Sequence, residues 1–233
     1  MNVIECLRTC NAGILQFVFV SFRFSEWMLR NGINQRRVYI DETGFNLYTR
    51  RSYGRAPVGQ RVNRIVGSQR GNNVTFLVAI TPEAGVLHFE AFARGVRNDD
   101  VASFIRTLSV ILDEEPATIL MDNAPSHRHL QNPSDIHQLK FLPAYSPFLN
   151  PIENCFSVLK SDAKQRLAHI QRVVDSAAVA REHGMGLMEW RTHCLTREVS
   201  LSMAAITPEV VSATYRNADS YLIRCLNSEE ILH

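Results

Sequence analysis

The sequence predicts an α/β protein, a mixed sheet of about five strands flanked by helices, with a helical extension at its C-terminal end. Three observations carry this. Two short apolar runs, Val38-Tyr39-Ile40 and Ile119-Leu120-Met121, each stop abruptly at an aspartate, Asp41 and Asp122. Between them, an apolar–turn–apolar pattern reads as a hairpin and is followed by a helix-periodic stretch. From Pro151 onward the helical period takes over. A chain of 233 residues makes one or two domains with a sizeable core. Hydrophobic content of 45% and charged content of 21% are those of an ordinary globular protein, and a net charge of +2 makes no case by itself for a polyanionic partner.

The elements follow in order. Residues 1–37 hold an apolar, aromatic run from Gly13 to Phe24, broken by Gln16, Ser21 and Arg23. It is too short and too polar to span a bilayer, and Arg8 with Ala12-Gly13 makes a poor signal peptide. A helix or irregular leader packed on the core is expected. Val38–Ile40 is the first strand; the following Asp41-Glu42-Thr43-Gly44 by itself also suits a turn. Residues 50–70 carry Arg50, Arg51, Arg55, Arg61, Arg64 and Arg70, near Tyr48 and Tyr53, and no acid occurs between Thr43 and Pro82. Gly54, Pro57 and Gly59 make this a loop or bent hairpin.

Asn73–Ile80 reads as a buried strand, Thr81–Gly85 as a turn and Val86–Phe92 as its partner, with His88 and Glu90 on a polar face. Asn98-Asp99-Asp100 caps a helix whose Val101, Phe104, Ile105, Leu108, Ile111 and Leu112 fall at helical spacing, ending at Glu114-Glu115-Pro116. The two aspartates there suit the positive end of the helix dipole. The run ending at Asp122 is the fourth strand and Leu139–Leu142 the fifth. A helix then begins near Pro151, and Ile170–His183, Leu187–Arg197 and Pro208–Leu226 supply a C-terminal helical layer. The five cysteines include no CxxC pair, which argues against a structural zinc site or a disulfide framework and for a reducing compartment.

The chemistry lies in three acids. Asp41 and Asp122 sit at strand ends and Glu153 at a helix start. Hard oxygen ligands of this kind suit Mg²⁺ or Mn²⁺, and a pair of such ions can drive in-line phosphoryl transfer. Each acid also has a plainer reading. Asp122-Asn123-Ala124-Pro125 can open a turn, and Asn150, Pro151 and Glu153 fit the N-cap, N1 and N3 positions of a capped helix. His127 could act as a base, but it reads better as support for the carboxylates, together with Asn123. Lys160 and Lys164 share the face of Glu153 by i, i+3, i+4 stepping; they trail the carboxylate toward a nucleic acid or are ordinary helix cations. The arginine run offers bidentate phosphate grips interleaved with stacking rings, or else a solvated hairpin face.

Three blocks point to a family. Tyr39-Ile40-Asp41-Glu42-Thr43-Gly44-Phe45-Asn46 resembles the first catalytic block of mariner-type (Tc/mariner superfamily) transposases. Met121-Asp122-Asn123-Ala124-Pro125-Ser126-His127 resembles the second, and Leu142-Pro143-Ala144-Tyr145-Ser146-Pro147-Phe148-Leu149-Asn150-Pro151-Ile152-Glu153 the third. The order matches, and the resemblance covers roughly Arg37 to Leu167. It has two departures. The 37 leading residues are too few for the helix-turn-helix units that precede the family's catalytic domain, and the interval from Asp122 to Glu153 is slightly short, with the loss placed in His129 to Gln138.

The resemblance implies a ribonuclease-H-like core in which the first and fourth strands lie parallel and bring Asp41 and Asp122 together. It implies a leader over residues 1–37, a DDE endonuclease catalytic domain over 38–168 and a helical extension of the same unit over 169–233. It further implies cutting and joining of DNA in transposition, with Asp41, Asp122 and Glu153 holding two Mg²⁺ or Mn²⁺ ions. The implied partners are transposon ends and target DNA, with a homodimer as a further expectation, and no membrane or small-molecule cofactor. The expected location is the nucleus in a eukaryote and the cytoplasm otherwise, without secretion. Two other readings stand beside it: a transposon-derived protein that binds nucleic acid or a partner without catalysis, and a nuclease of the same fold acting on other nucleic acids.

Overall fold

The structure, a computed structural model, describes residues 12–32, 35–46, 73–124, 127, 129–144 and 146–227. Helix α1 (Ala12–Trp27), closed by a π turn (Met28–Gly32), leads into strand β1 (Arg36–Phe45). Strands β2 (Val74–Thr81) and β3 (Gly85–Phe92), helix α2 (Asn98–Leu112) and strands β4 (Ala117–Met121) and β5 (His137–Phe141) follow. A 3-10 turn (Pro147–Leu149) opens onto α3 (Pro151–Val174), then α4 (Ala177–Glu182), α5 (Leu187–Ser202), a 3-10 turn (Met203–Ala205) and α6 (Pro208–Leu226). The five strands form one mixed sheet in the order β3-β2-β1-β4-β5, antiparallel among β1, β2 and β3 and parallel from β1 through β4 to β5.

The period-two alternation of the strands divides the interior into two cores. Val38, Ile40, Leu77, Ala79, Ile119 and Met121 point to one face and pack against Val101, Phe104, Ile105 and Leu108 of α2. Tyr39, Phe76, Val78, Ile80 and Leu120 point to the other and meet Phe156 and Leu159 of α3, Leu195 and Val199 of α5, and Val211 and Tyr215 of α6. Phe24, Trp27 and Met28 join this second core, where α1 packs chiefly against α6. The helical extension shares one core with the strands, and the expected division at residue 168 falls inside the continuous helix α3. Among the described residues no helix is long and apolar enough to cross a membrane.

Local chemistry corrects the sequence reading at three places. Strand β1 does not end at Asp41. Its residues 41–45 stay paired with Val78 back to Val74, so the stretch also readable as a turn is strand. At α2 the N-cap is Arg97, and Asp100 closes the cap: its carboxylate accepts from the Arg97 backbone N–H at 2.8 Å and from both terminal nitrogens of Arg94. The run from Ile170 to His183 is two helices, because Ser176 caps a new one by accepting from the Val179 N–H at 3.3 Å. At the β2–β3 turn, Gly85 has φ +73°, and a Cβ there would lie 2.4 Å from the Ile206 carbonyl oxygen, so only glycine lets this turn meet the entry to α6.

One polar cluster fixes α6 beneath β1. Arg37 grips Asp219 through two hydrogen bonds of 2.5 and 2.9 Å and lies over the Tyr215 ring. The Tyr215 hydroxyl sits 3.0 Å from the carbonyl oxygens of Arg37 and Ile80. Burial around this cluster pushes the Tyr215 and Tyr39 hydroxyls well above the ordinary tyrosine range.

Candidate active site

The parallel ladder places the first two acids. Tyr39 pairs with Leu120, and extending that register by two residues sets Asp41 beside Asp122. Strand β4 stops at Met121, so Asp122 leaves the sheet, while Asp41 remains paired with Val78 of β2. Asp41 is therefore mid-strand toward β2 and just past the ladder's end toward β4. The sequence reading of a strand-end aspartate holds only on that second side. Leu142 donates to the Met121 carbonyl at 2.8 Å, and the 3-10 turn at Pro147–Leu149 then carries the chain back so that α3 starts under the same corner. Glu153, in the first turn of α3, is exposed.

The electrostatics of the corner are unfavourable for charge on Asp41. Burial first, then the nearby charges of Glu153 and Asp122, push its carboxyl up to about 7. Two hydrogen bonds oppose the shift: the Glu42 backbone N–H donates to Oδ1 at 2.7 Å and the Asn150 side-chain amide to Oδ2 at 2.7 Å. Asp122 is held below its ordinary value, chiefly by its hydrogen bond with His127. His127, nearly buried, sits with Nδ1 2.8 Å from Asp122 Oδ1 and Nε2 3.6 Å from Glu42 Oε1. Those two acids push it up to about 9, so it is an imidazolium at neutral pH that ties Asp122 toward β1.

Asp41, Asp122 and Glu153 come from three elements close enough for the charges of the last two to act on Asp41, and His127 bonds Asp122. Asn123 is half-buried next to Asp122 and makes no hydrogen bond to the carboxylates among the described residues. Lys160 and Lys164 are exposed on the face of α3 that carries Glu153 and Ser157. Arg50, Arg51, Arg55, Arg61, Arg64 and Arg70 lie outside the described residues. Sequence reasoning missed two participants. Glu42, with Oε1 3.6 Å from His127 Nε2, was marked by no local pattern, because its partner comes from a distant loop. Asn150 read as a helix cap, yet it makes no side-chain capping bond and turns to Asp41 instead.

The donor set fits a divalent cation. It is built of hard oxygens, it crowds negative charge around a carboxylate held near neutrality, and the buried Asn150 Oδ1 has no hydrogen-bond partner. Among the described residues, however, no three acid or histidine side chains converge into a ready ligand cage.

Comparison with known proteins bears on the fold and the family. Among solved structures, the Mos1 transposase paired-end complex with left transposon end superposes with a TM-score of 0.62 at 17% identity, covering 94% of this chain and 63% of that one. The Mos1 mariner paired end complex with Mn gives 0.63 at 16% identity over 94% and 63%. The Mos1 transposase catalytic domain with raltegravir and Mg gives 0.59 at 14% identity, covering 96% of this chain and 99% of that one. At such identities the likeness establishes the fold, a ribonuclease-H-like sheet with C-terminal helices. The chain spans about 63% of the length of the Mos1 chains in the paired-end complexes. No curated protein matches it. The model of the DDE superfamily endonuclease family matches residues 36–173, which takes in all three acids. The chain belongs to the DDE superfamily of endonucleases.

Proposed function

We propose that this chain is the catalytic domain of a mariner-type transposase that cleaves and joins DNA strands with the help of Mg²⁺ or Mn²⁺. The observation that carries the reading is the buried Asp41 carboxyl, pushed up to about 7 by burial and by the nearby charges of Glu153 and Asp122. Mos1 structures of the same fold hold Mn or Mg, which favours the same class of ion here. When bound, such an ion, and a second one beside it, supplies charge stabilisation at a phosphate and lowers the pKa of an attacking hydroxyl.

The chain's own residues do the rest. Asp41 and Asp122 would hold the ion between strands, and Glu153 would flank it from α3. His127 keeps Asp122 oriented through Nδ1. Lys160 and Lys164 extend the exposed face of Glu153 along α3 and would bind the DNA backbone, with the arginines of 50–70 as the second clamp. DNA carrying transposon ends, target DNA and a second copy of the chain are the proposed partners, and the nucleus is the proposed location in a eukaryote.

The absence of a ready ligand cage among the described residues favours one other reading, a DNA-binding module without catalysis. Plasmid nicking separates the two. The wild type should nick in Mn²⁺ or Mg²⁺ and stop in chelator. Asp122→Asn should lower the rate by about a thousandfold, since several kcal/mol of lost stabilisation translate at tenfold per 1.36 kcal/mol. Retained DNA binding with no nicking by the wild type would favour the module.

A further inference from the structure

Asn150 occupies the N-cap of α3 but does not cap it with its side chain. An asparagine there ordinarily accepts a hydrogen bond from an N–H of the first turn through its side-chain oxygen. Here only the backbone takes part, the Glu153 N–H donating to the Asn150 carbonyl at 3.4 Å. The residue is only 5% exposed. Its Nδ2 donates to Asp41 Oδ2 at 2.7 Å, and its Oδ1 is buried without a partner. Both features work against stability. A capping bond is forgone, and an acceptor is taken from water and left unpaired. A polar side chain held this way by its surroundings points to a functional constraint.

We propose that Asn150 is a positioning residue for the cation site. It is three residues before Glu153 and bonded to Asp41, so it links the strand bearing one acid to the helix bearing another. That bond fixes the Asp41 carboxylate and sets α3 against β1. The unpaired Oδ1 leaves a further hard oxygen beside the same carboxylate. The inference rests on the metal-assisted reading given above.

The test is titration of Mn²⁺ into the full chain, without DNA, for the wild type, Asn150→Ser and Asn150→Ala, alongside thermal melts in chelator. Serine restores a capping hydroxyl but is too short to reach Asp41. The expected result is that Asn150→Ser melts at or above the wild type while its Mn²⁺ dissociation constant rises about tenfold or more, as for other residues that hold metal ligands in place. Asn150→Ala should show the same loss of affinity. The titrations are run at a temperature where every variant is fully folded, so a lower melting point does not cloud them. Wild-type affinity in Asn150→Ser, with a loss only in Asn150→Ala, would reduce Asn150 to a helix start and overturn the inference alone. No Mn²⁺ binding by the wild type would overturn the metal-assisted reading and this inference with it.

Discussion

Asp41 carries its charge in a place that resists one. Burial and two neighbouring acids raise its carboxyl to about 7, against about 3.9 in an unfolded chain. A folded pKa above the unfolded one means the protonated form is favoured by folding. That contribution is fully present below about pH 4 and is lost as pH rises through 7. In chelator, the chain should therefore become less stable between pH 4 and 8. Asp41→Asn, which removes the charge, should be more stable than the wild type at pH 8 by about 2 kcal/mol, with the advantage shrinking toward pH 4. Urea unfolding at several pH values measures this, and a variant less stable than the wild type at pH 8 would contradict it. The same variant should lose cation binding, so stability and function pull in opposite directions at this residue. Single residues were unevenly legible in the sequence. The acids stood out because apolar runs stop at them, whereas Asn150 looks like any helix cap until the direction of its side chain is known.

At the scale of elements, β1 is held from both ends of its function. Its outer half carries Asp41 and Glu42, and its inner half is tied to α6 by Arg37 and Asp219. Arg37 is largely buried, so removing its partner leaves a charge uncompensated. Asp219→Ala should cost about 3 kcal/mol, the low end for such a pair because Asp219 keeps some exposure. In α3, Leu159 is fully buried and faces the sheet, and Leu159→Ala should cost about 3 kcal/mol through lost burial and the cavity left behind. Urea midpoints check both; a change under about 0.5 kcal/mol, the usual range for a surface substitution, would contradict either account. The β2–β3 hairpin and α2 were legible because their periods are strong over many residues. The length of β1 was not, since Glu42 and Gly44 have poor strand propensity and are held extended by pairing with β2, a long-range partner. The break between α3 and α4 was also hidden, because Ser176 looks like an ordinary helix residue until its hydroxyl is seen accepting from Val179.

At the scale of the whole molecule, the parallel β1–β4 pairing in the centre of the sheet brings residues 81 positions apart in sequence, Tyr39 and Leu120, into register, and the acids follow. The order of elements was legible, but this juxtaposition came from the family resemblance and not from any local pattern. Net charge of only +2 places the burden of the proposed DNA binding on local clusters. Lys160→Ala with Lys164→Ala should lower the slope of log affinity against log salt by about 2, near 0.9 per phosphate contact, across unrelated DNA sequences. An unchanged slope would make these lysines ordinary helix cations. The central claim, that three acids from three elements form one cation site, is tested most directly by calorimetric titration of Mn²⁺ into the wild type and into Asp41→Ala/Asp122→Ala. Binding by the wild type that vanishes in the double variant is the predicted result. Equal binding by both, or none by the wild type with or without DNA, would contradict it.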